Sequence, residues 1–188
     1  EFPKKVIYLN PRKYDENDER PTTYWAYKIS EGPKWIAGLG IVGDWAIPEF
    51  IDDLTKEYSD LFPKKFTHPG DIFFNSKFGD LIKIVSFAIK GPTSEVRKAI
   101  SILLKIESPY EILNKTTANG KYIHKRAENI LKEYGESMKE AMKIKTKDNL
   151  FIYLYSSSKT SFTSIFSNEI VYKYPDKFII IARESKEE

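Results

Sequence analysis

Cysteine is absent from the chain, which excludes a disulfide framework, a thiolate zinc site and a cysteine nucleophile, and suits a reducing compartment such as the cytoplasm. Histidine is scarce, with His68 and His124 the only imidazoles. No apolar run reaches the roughly 18 residues that a membrane-spanning helix needs, because Lys, Gly or Ser interrupts each one. A soluble chain without a membrane partner is expected. A large excess of one charge is missing as well. The formal net charge of +3 on 188 residues is too small to argue for nucleic acid, so any electrostatic partner has to be argued from local clustering. What is present is 41% hydrophobic, 14% aromatic and 30% charged residues. That composition excludes disorder and supplies a core for little more than one average domain. Glu1 stands first in place of Met, with no basic-apolar-small leader pattern after it, so a processed chain or an excerpt of a longer one is expected.

The run Val6-Ile7-Tyr8-Leu9, stopped by Asn10-Pro11, predicts a buried strand. Beyond a charged loop, Pro21-Thr22-Thr23 starts a helix with Tyr24, Trp25, Tyr27 and Ile29, closed by Gly32-Pro33. Residues 35–43 mix bulky side chains with Gly38, Gly40 and Gly43, predicting a buried helix with a small-residue face. Pro48 suits the first position of an amphipathic helix that ends before Pro63. Residues 66–77 read as a loop. Asp80 is the expected N-cap of a helix buried on most sides up to Gly91-Pro92. Thr93 or Ser94 is expected to cap the next, with Val96, Ala99, Ile100, Leu103 and Leu104 inward and Ser108-Pro109 ending it. After a hinge at Thr116–Gly120, apolar residues at steps of three and four predict a long helix over 121–143, spanning roughly 35 Å at 1.5 Å per residue. Leu150–Tyr155, Thr160–Tyr172 and Phe178–Ala182 then read as strand, helix and strand, a βαβ unit with parallel strands.

Asp44, at the end of the glycine-rich helix, has two readings: an oxygen ligand for a hard metal ion facing a cleft, or a solvated turn or cap. His68-Pro69-Gly70-Asp71 reads as a surface turn, and His124 as a solvated or partly packed side chain. Ser156–Thr160, between a strand and a helix, suits phosphate binding through backbone N–H groups, with Ser158 and Thr160 as candidates, equally with simple capping. Residues 121–147 carry eight Lys or Arg against four Glu, a net of +4. Lys121, Lys125 and Arg126 are therefore candidates for contact with a polyanionic strand, although a Lys/Glu-rich helix face in solvent is the commoner cause of such a pattern.

The order Ile7-Tyr8-Leu9-Asn10-Pro11, Arg20-Pro21-Thr22-Thr23-Tyr24 and Leu39-Gly40-Ile41-Val42-Gly43-Asp44 resembles the later half of the catalytic domain in DHH-family phosphoesterases. The tail, through Tyr174-Pro175-Asp176-Lys177-Phe178-Ile179-Ile180-Ile181, is similar to the opening of that family's DHHA1 substrate-binding domain. The fold class expected is α/β. The resemblance implies a mostly helical late DHH segment over 1–115, a hinge and connector helix over 116–147, and the N-terminal part of a DHHA1-like domain over 148–188. It implies hydrolysis of phosphodiester bonds in single-stranded DNA, RNA or short oligonucleotides by two manganese or magnesium ions, with Asp44 as a metal ligand. The Asp-His-His triplet of the family is absent from this chain. As it stands, the chain is thus expected to be an incomplete and inactive part of a cytoplasmic enzyme. The alternatives are a non-catalytic scaffold of the same family that holds replication proteins, and a small-molecule phosphatase or cyclic-dinucleotide hydrolase.

Overall fold

The computed structural model of the chain describes residues 8–146, 149–156 and 160–184. It is mixed α/β and mostly helical, with a small parallel sheet. The elements are α1 (Thr22–Ser30), α2 (Lys34–Gly43), α3 (Ile51–Glu57), α4 (Pro69–Phe74), α5 (Lys77–Ala88), α6 (Thr93–Leu103), α7 (Pro109–Leu113), α8 (Ala118–Ala141), β1 (Leu150–Ser156), α9 (Thr163–Lys173) and β2 (Phe178–Glu184). Of the strand expected at Val6–Leu9, Val6 and Ile7 lie outside the described residues, and Tyr8 and Leu9 are in no strand.

Capping chemistry explains most departures from the sequence reading. The segment 66–77 is not a loop throughout, because α4 forms within it. The His68 ring accepts from the Gly70 N–H at 3.0 Å, Asp71 accepts from the His68 N–H at 3.0 Å, and Pro69 supplies a ready-made first turn. Ser76, not Asp80, caps α5, accepting from Gly79 N–H at 3.0 Å, so the helix begins three residues ahead of Asp80. Neither Thr93 nor Ser94 caps α6, whose N-cap is Pro92 with no side-chain bond. Only Ala99 and Leu103 of the expected inner face are buried, while Ile100 and Leu104 stay exposed. Ser108-Pro109 opens α7 through a second capping box with Glu111 and does not close α6. Pro48 lies ahead of α3, which starts only at Ile51.

The long helix α8 packs along α5 and against α6 and α7. Its start is tight. Residues 116–120, read from sequence as a hinge, hold the N-cap Thr117, whose hydroxyl accepts from Gly120 N–H at 3.1 Å and donates to Glu111 Oε2 at 2.6 Å. Farther along α8, Tyr134 is buried, stands edge-on to Phe162 at 5.6 Å and Phe166 at 5.7 Å, and donates its hydroxyl proton to Glu169. Burial, with the Glu169 carboxylate beside it, pushes the Tyr134 phenol well above the usual tyrosine range. One continuous apolar core therefore runs from α2 and α5 through α8 into the βαβ unit.

β1 and β2 pair in parallel with Leu150 opposite Phe178 and Ser156 opposite Glu184, as the βαβ reading requires. Alternation along β1 buries Phe151, Tyr153 and Tyr155 under α9, and leaves Leu150, Ile152 and Leu154 outside with Phe178 and Ile180 of β2. Parallel sheets are ordinarily covered on both faces; this outer face is apolar and open. The two faces predict opposite responses to truncation. Phe151→Ala is expected to destabilise the chain by about 3–5 kcal/mol in urea unfolding. Phe178→Ala, at a side chain 76% exposed, should shift stability by less than about 0.5 kcal/mol. Equal losses would contradict this assignment of faces.

Candidate functional site

Asp44 ends α2, and the position of its carboxylate is set by how closely α1 approaches α2. A Cβ on Gly40 would lie 2.5 Å from Thr23 Cγ2, so only glycine lets the two helices close at that point. The approach brings Thr23 Oγ1 to 3.1 Å from Asp44 Oδ2, to which it donates. The carboxylate is otherwise exposed. Immediately after it the chain turns sharply. Trp45 N–H donates to Val42 O at 3.1 Å and Ala46 N–H to Ile41 O at 3.0 Å, the paired bonds of a Schellman C-terminus. Such a motif usually has glycine at its left-handed position. Here it has Trp45, with φ of 64°.

Two adjoining cavities, of about 580 and 360 Å³, meet at Asp44 and share Asp18, Glu19 and Arg20. Asp18 is buried, and both its oxygens are engaged by Arg20, at 2.9 Å from Nε and 2.6 Å from Nη2. The Arg20 backbone N–H adds a bond at 2.9 Å. The same guanidinium lies 4.3 Å from the Trp25 ring centroid, within cation–π range. Arg12 Nε donates to Asp18 O at 3.1 Å. A segment rich in charge is thereby folded into one wall of the groove.

The hydrogen bond from Arg20 holds the Asp18 carboxyl below the usual range, against the opposing effect of its burial. Asp71 is likewise lowered, first by the Tyr172 hydroxyl and then by the Thr67 and His68 N–H groups. Folded values below unfolded ones mean that these contributions are complete above about pH 4 and are lost as the pH falls through the folded values. Acid titration of the fold should therefore show loss of stability below about pH 4, and Asp18→Asn should flatten that limb. An unchanged acid limb in the variant would contradict the role of the Asp18–Arg20 pair.

Among the described residues, no group of three His, Cys, Asp or Glu is placed to hold a metal ion. Asp18 is consumed by Arg20, and Asp44 keeps Oδ1 open. The donor set fits one oxygen ligand of a hard-metal site and does not fit a complete two-ion site. Of the other candidates, Ser158 lies outside the described residues, and Thr160 stands two residues before Phe162, the N-cap of α9. Lys121 and Lys125 are exposed on α8. Arg126 instead bonds Ala88 O at 2.7 Å, Lys90 O at 2.9 Å and Glu95 at 2.8 Å, closing the C-terminal end of α5. None of these three basic residues lines the cavities at Asp44. His124 is half-buried, and burial pulls its imidazole below the usual range. Asp15, Asp18, Glu19 and Trp45 line the groove without being singled out by the sequence pattern, and Arg20 enters there only through the resemblance. The Asp-x-Arg spacing in a charged loop is the one signal that points to the pair.

No family model matches the chain, and no curated protein or solved structure matches it either.

Proposed function

We propose that this chain is part of a metal-dependent phosphoesterase of the DHH type, acting on phosphodiester bonds in single-stranded nucleic acid or short oligonucleotides. In this reading residues 1–115 belong to the catalytic domain, and 148–188 begin a DHHA1-like substrate domain. The observation that carries it is the position of Asp44. An exposed carboxylate with one oxygen open, fixed by Thr23 at the end of a glycine-rich helix, stands where two cavities join.

Asp44 would supply one ligand for manganese or magnesium, with the remaining ligands to be provided within a longer protein that contains this chain. A divalent ion held there would lower the pKa of a water and offset charge on the phosphoryl oxygens. The chain's own residues contribute positioning. Thr23 restrains the carboxylate, and Arg20, locked to Asp18, forms a rigid wall that contributes little net charge. The test is manganese-dependent cleavage of a single-stranded oligonucleotide by a longer protein that contains this chain. Cleavage that requires manganese and falls in Asp44→Asn supports the reading. A longer protein that holds partners of the replication machinery without any cleavage would instead favour the scaffold.

A further inference from the structure

We propose that Trp45 is a nucleobase platform, on which a base bearing N–H donors stacks in the cavity beside Asp44. The inference rests on the phosphoesterase reading for the class of ligand, and on Trp45 itself for the site.

The left-handed position after α2 is one that glycine fills at no steric cost, and that a bulky residue occupies only when its surroundings enforce it. The indole is held by rings on α4 and its N-cap: His68 at 5.5 Å, Phe74 at 5.7 Å and Phe73 at 6.3 Å. All three are tilted by 52–56°, so none of them stacks flat on the indole. The support is itself fixed. His68 Nδ1 accepts from Gly70 N–H, and its ring stacks at 19° on Tyr172, whose hydroxyl donates to Asp71 at 2.5 Å. A ring so held has little rotamer freedom left to lose when a ligand stacks on it.

Trp45 is half-buried and lines the 360 Å³ cavity together with Asp44, Asp15 and Glu19. That volume lies at the small end of ligand pockets and suits one base. The charge selects what can enter. Asp18 is offset by Arg20, but Asp15, Glu19 and Asp44 leave the cavity negative, which repels a bare phosphate and favours a neutral group that donates. Asp15 Oδ1 already accepts from Asn17 N–H at 3.0 Å, and its other oxygen remains as an acceptor. Guanine, with N1–H and an amino group side by side, matches a carboxylate, whereas thymine turns two carbonyls toward it.

The experiment uses the 188-residue chain without metal, and titrates tryptophan emission with guanosine and with thymidine. Guanosine is expected to quench emission and to bind about tenfold tighter than thymidine. With Trp25, which lines the neighbouring cavity, replaced by Phe throughout, the quenching should vanish in Trp45→Phe because Trp35 is buried, while affinity by calorimetry stays within about threefold since a ring remains. Trp45→Ala should lose about tenfold or more in affinity. Should that variant fold poorly, Asp15→Asn combined with Glu19→Gln, at two exposed positions, is expected to abolish the preference for guanosine. Quenching that survives in Trp45→Phe, equal binding of the two nucleosides, or binding of tetramethylammonium but of neither nucleoside would each overturn the platform. Nucleosides carry no phosphate and the titration contains no metal, so this failure is separate from failure of Asp44 in hydrolysis.

Discussion

Asp44→Asn is expected to lower manganese-dependent phosphodiester cleavage by at least about a hundredfold while leaving the melting temperature nearly unchanged. The substitution keeps the shape, and keeps an oxygen to accept from Thr23, so the link between α1 and α2 survives. Asp44 is an exposed C-cap whose backbone N–H, not its side chain, closes the helix, and exposed positions of this kind usually change stability by no more than about 0.5 kcal/mol. What is removed is negative charge on an oxygen facing the groove. A carboxylate that ligates a divalent ion loses most of its value when it becomes an amide, and the loss falls on the charge-stabilising step. A capping role has the opposite signature, because activity would survive. Activity and thermal melt measured on the same preparation separate the two.

Gly120→Ala is expected to destabilise the chain by about 3 kcal/mol, through the steric overlap of an added methyl group in a packed site. For a chain of this size that is a fall in melting temperature of about 6–12 °C. A Cβ at this position would lie 2.0 Å from Glu111 O and 2.4 Å from Glu111 C, backbone atoms held by the capping box of α7. Neither side can yield cheaply. Thr117 bonds Gly120 N–H and Glu111 at once, so moving α8 away from α7 breaks the cap as well. Helix propensity alone favours alanine over glycine by roughly 1 kcal/mol, and a flexible joint would register that gain. The sign of the change in melting temperature therefore distinguishes a packed start of α8 from a hinge, and a rise would contradict the packing.

The elements legible in the sequence are those in which a pattern extends over several turns. A run apolar nearly all round marks α5, apolar steps of three and four mark α8, and two aromatic and aliphatic runs separated by a helical stretch mark the parallel pair β1–β2. The starts of helices were less legible. His68 and Asp71 form a capping box from unusual partners, so α4 looked like a loop. Asp80, an acceptable cap by type, sits inside the first turn of a helix that Ser76 starts. The inward face of α6 departs from its apolar pattern at Ile100 and Leu104, both exposed, because a short helix can turn either of two adjoining apolar stripes toward its neighbour. The site was legible only at Asp44, through the small residues that precede it. The Asp18–Arg20 pair lies in a stretch whose composition reads as a solvated loop. Trp45 occupies a position where sequence rules expect glycine, so nothing in the pattern announced the turn. Arg126 looked like a free base on a charged helix, and contacts 36 and 38 residues away commit it to the end of α5.

The most direct measurement is a manganese titration followed by electron paramagnetic resonance, on a longer protein containing this chain and on its Asp44→Asn variant. The expected result is two manganese ions bound per chain in the unaltered protein, and loss of one ion, or affinity weakened by about tenfold or more, in the variant. Equal stoichiometry and equal affinity in the two proteins would remove Asp44 from the metal site and contradict the proposed function.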